Sequence, residues 1–232
     1  MDKYSYYDTL SNIIPGLFFI WALSVLGPFK KSGLSYILTG NPIVDPILLL
    51  AISFIIGHIL QFLSKYSTEL LIKKFFWKGY MFSEVFLISG YKYCKKIELT
   101  RYLDFSEKDL KISKANLQLL SDPEAINDQE KLKQAIETSQ AIYRIIDAKA
   151  SDTVKGQKAQ LQNFYYSFFR NMSCIFLILG LLDLFALFLG CYESSLKNIF
   201  IILINFILTC IFMVQAKQRG EYYVRGLFWS YV

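Results

Sequence analysis

In residues Met172–Cys191, MSCIFLILGLLDLFALFLGC, one charged side chain stands among nineteen uncharged ones. An α-helix needs about 20 mostly apolar residues to cross the hydrocarbon core of a bilayer. Three more runs approach that length: Leu10–Phe29, Ile43–Leu63 and Asn198–Gln215. The four runs form two pairs, separated by the polar segment 64–165. The sequence therefore predicts an all-α, polytopic membrane protein with four transmembrane helices in two hairpins.

Composition and charge agree with a membrane protein. The chain is 54% hydrophobic and 17% aromatic, which is high for a soluble domain. Its net charge is +6, but 17 of the 25 Lys and Arg residues lie in Ser64–Tyr165, mixed with 13 acidic residues. Such mixed charge is typical of a solvated segment that faces anionic lipid headgroups, and not of a nucleic-acid surface. We therefore expect membrane lipids as partners and no nucleic acid bound directly.

The orientation follows from the positive charges beside the spans. Eleven Lys and Arg residues flank the span ends that lie on the same side as both termini, and three flank the other ends. Because cytoplasmic flanks carry the excess of Lys and Arg, both termini are predicted to be cytoplasmic. The hairpin tips, near Lys30–Pro42 and Tyr192–Lys197, then face outward. The predicted parts are a first transmembrane hairpin (1–63), a cytosolic helical region (64–165), a second transmembrane hairpin (166–215) and a cytosolic tail (216–232).

Pro15-Gly16 lies near the start of the first span. Proline is tolerated in the first turn of a helix and breaks a helix elsewhere. The pair therefore indicates either a helix that begins there or a separate interfacial piece, Tyr4–Asn12, before the span.

The cytosolic region is expected to be helical. Ser106 with Asp109 three residues later is close to a capping box, and Asp122-Pro123-Glu124 predicts the start of a second helix. An apolar stripe on that helix recurs at steps of three and four, and its members Leu132, Ile136, Tyr143 and Ile146 are the candidate partner or oligomer face. A partner helix in the same chain and one in another copy explain this stripe equally well. Because 151–169 holds no proline, the helix could run straight into the third span.

Asp183 is the main ionisable residue within a span. It lies eight residues before Cys191, and Asn205 lies seven residues into the fourth span. The two are therefore at equal depth on adjacent antiparallel helices, where a side-chain hydrogen bond is expected. One interpretation is a clasp that fixes helix register. The other is a group that lines a pore or a proton path.

A second polar group is expected at the cytoplasmic end of the bundle. His58 and Gln61, three residues apart, share one face of the second helix, and Gly57 allows a close approach of helices. Residues of similar depth on the other spans are Asn12, Arg170, Asn171 and Gln215. Together these side chains predict a polar layer across the bundle. His58 either satisfies polar groups at a helix crossing or senses pH.

Catalytic and metal-binding patterns are absent from the sequence. It contains no HExxH, P-loop or GxGxxG motif, and its single histidine rules out many metal centres. Cys94, Cys174, Cys191 and Cys210 lack the CxxC spacing of a zinc site. We expect no enzyme activity, no metal and no cofactor.

Several short motifs resemble those of a known group of proteins. They are Tyr7-Asp8-x-Leu10 before Pro15-Gly16, Gly57-His58-x-x-Gln61, Phe164-Tyr165-x-x-Phe168-x-Arg170-Asn171, and Arg219, Tyr222, Tyr223 and Arg225 near the end of the chain. This combination resembles small polytopic bacterial inner-membrane proteins often found beside anti-phage defence genes. The resemblance covers both hairpins but not the central segment. It implies a bacterial inner-membrane protein that senses membrane disturbance or compromises the membrane during infection.

Two functions compete. The first is a homo-oligomeric membrane sensor or pore-like effector, in which copies assemble because four spans are too few to enclose a channel. Its path would be lined or gated by Arg170, His58, Gln61 and Asp183. The second is a membrane scaffold or accessory subunit that recruits a cytosolic protein through residues 64–165. A small transporter is disfavoured, because such proteins usually have repeated halves and these two hairpins do not resemble each other.

Overall fold

The computed structural model describes residues 3–26, 40–77, 79–88, 114–122, 124, 127–150, 153–190 and 196–231. Over these residues the regular structure is helical, without a strand. The helices are α1 (Lys3–Leu26), α2 (Val44–Tyr66), α3 (Thr68–Phe76), α4 (Phe82–Val85), α5 (Lys114–Ser121), α6 (Gln129–Ala150), α7 (Val154–Phe188) and α8 (Leu196–Tyr231). The predicted all-α class is confirmed.

Three helical stretches of the described chain are long and apolar enough to cross a membrane. They are Val44–Phe76, which joins α2 and α3, Gly156–Phe188 in α7, and Leu196–Ser230 in α8. Helix α1 adds a shorter apolar stretch, Thr9–Ser24. The molecule is therefore a multi-pass membrane protein. Most of both predicted hairpin tips lies outside the described residues.

The chain forms two compact units. Unit 1 contains Met1–Ile72 and Phe164–Gln218, and unit 2 contains Lys73–Asn163 and Arg219–Val232. The two predicted hairpins thus belong to unit 1, while the predicted cytosolic region and tail belong mainly to unit 2. Helices α7 and α8 each contribute residues to both units.

Unit 1 is a helical bundle whose exterior is apolar. Its core comprises Ala22, Leu60, Met172, Ile175, Phe176 and Leu179. The ring of Phe176 stacks on that of Phe212, with centroids 5.4 Å apart. Helices α2 and α8 leave large apolar side chains exposed, among them Ile55, Phe62, Phe200 and Ile207. Such an exterior suits a lipid environment, because lipid tails are as apolar as these side chains.

Helices α1 and α2 touch through their backbones at two glycines. A Cβ atom on Gly16 would lie 2.8 Å from the carbonyl carbon of Ser53, and one on Gly57 would lie 3.0 Å from the Cα of Asn12 and overlap its carbonyl group. Only a residue without a side chain permits this approach. The expectation that Gly57 allows close approach is confirmed.

Pro15 lies inside α1, which runs unbroken from Lys3 to Leu26. Both expectations for Pro15-Gly16 are therefore wrong, since the helix neither begins there nor breaks after Asn12. A proline within a helix removes one backbone hydrogen bond. The carbonyl that loses its donor belongs to Ser11, four residues earlier, and it finds a donor elsewhere in unit 1.

Unit 2 has its own aromatic and aliphatic core. Its fully buried side chains include Trp77, Phe82, Leu120, Ile142, Ile146, Leu227 and Phe228. Helix α6 packs against α4 and α5, and the ring of Phe86 lies 5.1 Å from that of Phe228. Glu84 holds the start of α4, because its carboxylate accepts from the backbone N–H of Met81 at 2.7 Å and from Gln140 Nε2 at 2.9 Å.

The boundaries of the central helices differ from the prediction. Helix α6 begins at Gln129, where Asp128 accepts from the backbone N–H of Glu130 at 2.9 Å, and not at Asp122. The helix does not run on into the third span either. It ends at Ala150, and α7 starts afresh after Thr153, whose hydroxyl accepts from the N–H of Gly156 at 2.9 Å. A side-chain cap of this kind replaces a missing helical bond. The helix predicted to open at Ser106 falls outside the described residues.

The predicted tail is the last part of a 36-residue helix, α8. Within it, Val224, Leu227 and Phe228 are buried in the core of unit 2. Trp77 is buried in the same unit, where its Nε1 donates to Glu221 Oε1 at 3.3 Å. Residues 219–231 are thus an integral part of a folded unit.

Candidate functional site

A buried ion pair joins two helices of unit 1. Arg170 of α7 places Nη1 2.6 Å from Oε2 of Glu69 in α3, and both side chains are less than a tenth exposed. The Nε of Arg170 also donates to the hydroxyl of Ser64 at 3.2 Å, and its guanidinium lies 5.3 Å from the ring centre of Tyr166. A buried charge is tolerated only when it is paired and hydrogen-bonded in this way.

Asn171, the next residue, extends this network to α1. The hydroxyl of Ser64 donates to Asn171 Oδ1 at 2.7 Å, and Asn171 Nδ2 donates to the carbonyl of Ser11 at 3.3 Å. That carbonyl is the one that Pro15 leaves without its helical donor. We name these buried residues the polar layer: Ser11, Asn12, Ser64, Glu69, Arg170 and Asn171. The layer links α1, α2, α3 and α7.

The polar layer confirms part of the expectation for this end of the bundle. Arg170, Asn171 and Asn12 are buried, and Asn171 bonds to the carbonyl of Ser11, the residue beside Asn12. Ser64 and Glu69 were missed, although a signal was present: an arginine inside a bundle requires an acid at its own depth. Glu69 is the first acidic residue after the second predicted span.

His58 does not join the polar layer. It is exposed on α2, and its ring meets the ring of Phe54 edge-on at 4.4 Å. Gln61 is half-buried on the same helix, and its backbone carbonyl accepts from the Ser64 hydroxyl at 2.9 Å. The physical reason is the rotation of α2 about its own axis. Its inward face carries Ser53, Gly57, Leu60 and Ser64, and His58 lies outside this face.

A second buried polar contact lies further along α7. Asn205 Nδ2 of α8 donates to Asp183 Oδ2 at 3.1 Å, and both residues are buried. Gly180, one turn earlier, lets Asn205 approach, because an added Cβ would meet Asn205 Cβ at 3.3 Å. We name Asp183 with Asn205 the polar clasp. The predicted hydrogen bond is confirmed, and its members face each other within one copy.

The candidate partner face on α6 divides into a buried and an open part. Ile146 is fully buried in unit 2, so the intramolecular explanation of the stripe holds for it. Tyr143 is half-buried beside Tyr223, and burial raises the pKa of the Tyr143 phenol to about 12. Leu132 and Ile136 stay half-exposed and line an open surface cavity together with Tyr80 and Gln140.

Another polar cluster ties the helices of unit 2. The hydroxyl of Tyr223 donates to Asp147 Oδ1 at 3.0 Å, and Gln160 Nε2 reaches the same oxygen at 3.3 Å. These bonds connect α6, α7 and α8. Because every group in the cluster has a partner there, we interpret it as a structural contact.

The described part of the chain holds no group of three or more His, Cys, Asp or Glu side chains placed to share a metal ion. No protein-family model, curated protein or solved structure matches the chain. The class of this protein is therefore assigned from its own helices and their contacts. The protein is a multi-pass α-helical membrane protein whose bundle encloses a buried ion pair.

Proposed function

We propose that this protein resides in the bacterial inner membrane, with both termini cytoplasmic, and acts as an oligomeric sensor or pore-like effector in anti-phage defence. Its location is supported by the apolar helices and by the excess of Lys and Arg on one side. The role in defence is supported by the resemblance of its short motifs to those of proteins found beside defence genes.

The observation that carries the proposal is the ion pair between Arg170 and Glu69, buried inside a bundle whose exterior is apolar. Ionisable groups in membrane bundles usually serve transport, sensing or gating. Here both charges are satisfied within one copy, as are Asp183 and Asn205. In our proposal this arrangement is the closed state, and the conducting state forms when these partners separate as copies assemble.

The experiment is reconstitution into liposomes of phosphatidylethanolamine and phosphatidylglycerol, with release of an enclosed dye as the readout. Arg170→Met leaves Glu69 without its counter-ion, so we expect faster release than from the parent protein. Lys158→Met is the matched control, because Lys158 is an exposed cation on the same helix. Equal release from all three proteins would contradict the gating role.

Oligomeric state is the second measurement. Native mass spectrometry in mild detergent should detect assemblies of more than one copy, and a strict monomer would refute the pore model. In cells, the proposal predicts that expression protects against phage and that Arg170→Met changes this protection or becomes toxic without infection.

A scaffold that recruits a cytosolic protein is the alternative. It is favoured by the open cavity on unit 2, where Leu132 and Ile136 leave apolar surface uncovered. Replacing both residues with Lys should abolish partner cross-linking in intact cells while membrane insertion persists. Gln134→Lys adds the same charge at an exposed position of the same helix and should have no effect.

A further inference from the structure

The described part of unit 1 buries two acidic side chains, Glu69 and Asp183, in different surroundings. The carboxylate of Glu69 lies 2.6 Å from the guanidinium of Arg170, so its charge is balanced. Asp183 meets a neutral group instead, because Asn205 Nδ2 donates to its Oδ2 at 3.1 Å. One buried acid therefore has a cation, and the other has only an amide.

No charged side chain in the described residues balances Asp183, whose one polar contact is the bond to Asn205. In the half of unit 1 away from the polar layer, two other ionisable groups are described. Asp45, at the start of α2, accepts from the N–H of Gly40 at 3.0 Å. Lys197 is exposed at the start of α8, eight residues or about 12 Å along the helix from Asn205. The described residues of α1 from Thr9 onward carry no ionisable side chain.

An uncompensated carboxylate is costly at this position. Asp183 is 7% exposed and lies between the buried side chains of Leu179 and Ala186 on α7. The outward neighbours on the same helix, Leu181 and Phe185, are apolar and exposed. A buried carboxylate that lacks a cation becomes neutral by taking up a proton, and the cost of its charge is paid within a membrane bundle. These surroundings therefore favour the protonated acid.

The amide of Asn205 suits a protonated acid better than a carboxylate. A protonated carboxyl has one O–H donor and an acceptor oxygen, and a carboxamide also has both a donor and an acceptor. The acid can therefore accept from Nδ2 and return a hydrogen bond to Oδ1 of the same amide. A carboxylate has acceptors only. Gly180 permits this face-to-face approach, since an added Cβ there would lie 3.3 Å from the Cβ of Asn205.

We propose that Asp183 is a proton-binding site and that release of its proton separates α7 from α8 at the polar clasp. In this step the O–H bond of the carboxyl breaks, the proton passes to water, and the electron pair stays on the carboxylate. That carboxylate has no cation in the clasp, so the contact with Asn205 weakens. Asp183 lies five residues before the end of α7 at Phe188, about 8 Å, and this is where the proton reaches water.

The inference rests on the proposed function, because it names the stimulus of the proposed sensor. In the proposed orientation, the end of α7 beyond Asp183 faces outward. The ligand is then the proton of the outer aqueous phase. The protonated clasp holds the bundle closed, and a rise in external pH opens it.

Infrared spectroscopy of the full chain in liposomes tests whether Asp183 holds a proton. A protonated carboxyl has a carbonyl stretch that a carboxylate lacks. At neutral pH we expect this band in the parent protein and its loss in Asp183→Asn. Glu137→Gln is the matched control, because Glu137 is an exposed acid on α6, and it should keep the band. A band that is absent from the parent, or that persists in Asp183→Asn, would overturn the inference.

The pH dependence of a thermal melt tests the coupling to the clasp. The proton stabilises the contact between α7 and α8 while it is bound, so this stabilisation is present at low pH and is lost as the pH rises. The melting midpoint of the parent should therefore fall relative to that of Asp183→Asn, whose amide cannot ionise. Equal pH dependence of the two proteins would refute the coupling.

Dye release separates this inference from the proposed function. Release from the parent should increase with external pH, and release from Asp183→Asn should not. A carboxyl band without release at any pH supports the proton site and refutes the pore. Release without the band refutes the proton site and leaves the pore in place. Release that is the same at every pH, with the band present, refutes opening by proton loss.

Discussion

Breaking the buried ion pair should destabilise the bundle severely, and removing both partners should not. Arg170→Met leaves the buried carboxylate of Glu69 without the guanidinium that pairs with it, and it leaves the hydroxyl of Ser64 without the Nε donor of Arg170. Truncating one partner of a buried pair costs about 3–5 kcal/mol. At 1.36 kcal/mol for each factor of ten, the opening equilibrium of the bundle should rise by about two to four powers of ten.

Cys174 provides a local reporter of this opening. It is 1% exposed and lies one turn after Arg170 on α7, with its sulfur 3.6 Å from the Ser67 hydroxyl. In a variant that keeps only this cysteine, the rate of reaction with a membrane-permeant maleimide measures how often the region opens. Arg170→Met should therefore react far faster than the parent.

The double variant Arg170→Met/Glu69→Leu should react almost as slowly as the parent, because apolar replacement of both partners of a buried pair is often neutral. Arg144→Met is the control for loss of an arginine, since Arg144 is exposed on α6. The reasoning fails if Arg170→Met reacts no faster than Arg144→Met, or if the double variant reacts as fast as the single one.

Three further predictions follow from contacts in each unit. Gly57→Ala forces a methyl group onto the carbonyl of Asn12, so a thermal melt in detergent should show a loss of about 1–3 kcal/mol, and an unchanged melt would contradict the close contact. Asp183→Asn keeps a hydrogen bond to Asn205 and removes the charge, so we expect near-normal assembly, and unchanged dye release would leave the clasp interpretation and exclude conduction. Burial raises the pKa of Tyr143 to about 12, so its neutral form stabilises unit 2 below pH of about 10, the ordinary tyrosine value. That contribution should disappear as the pH rises through about 12, and an ultraviolet titration of Tyr143→Phe should lack a tyrosinate step near pH 12 that the parent shows. Loss of a step near the ordinary tyrosine pKa instead would contradict the shift.

The membrane class and the polar clasp could be predicted because both depend on position along the chain. Equal depth of Asp183 and Asn205 follows from counting residues in two helices joined by a short turn. The same count placed Arg170 and Asn171 at one level. The close contact at Gly57 could also be predicted, because a glycine within an apolar helix often has a packing reason.

The failures concern rotation and partners distant in sequence. Counting depth put His58 and Arg170 at one level, but depth does not fix which way a side chain points around the helix. The full set of inward residues on α2, including Gly57 and Ser64, decides that rotation. Pro15 was taken as an end or a break because its lost hydrogen bond looked unreplaceable in the sequence. Asn171, 160 residues after Ser11, supplies a donor to the freed carbonyl.

By itself, the sequence determined that this protein is helical, spans a membrane several times and carries polar groups at two depths. These properties depend on local hydrophobicity and on the fixed rise of a helix. Both can be read from a short stretch of sequence. Only the tertiary structure decided that Arg170 pairs with Glu69, that His58 faces outward and that the last helix completes the core of unit 2. Each of these outcomes depends on how helices far apart in the chain rotate and pack, because burying a charge requires its partner to arrive from another helix.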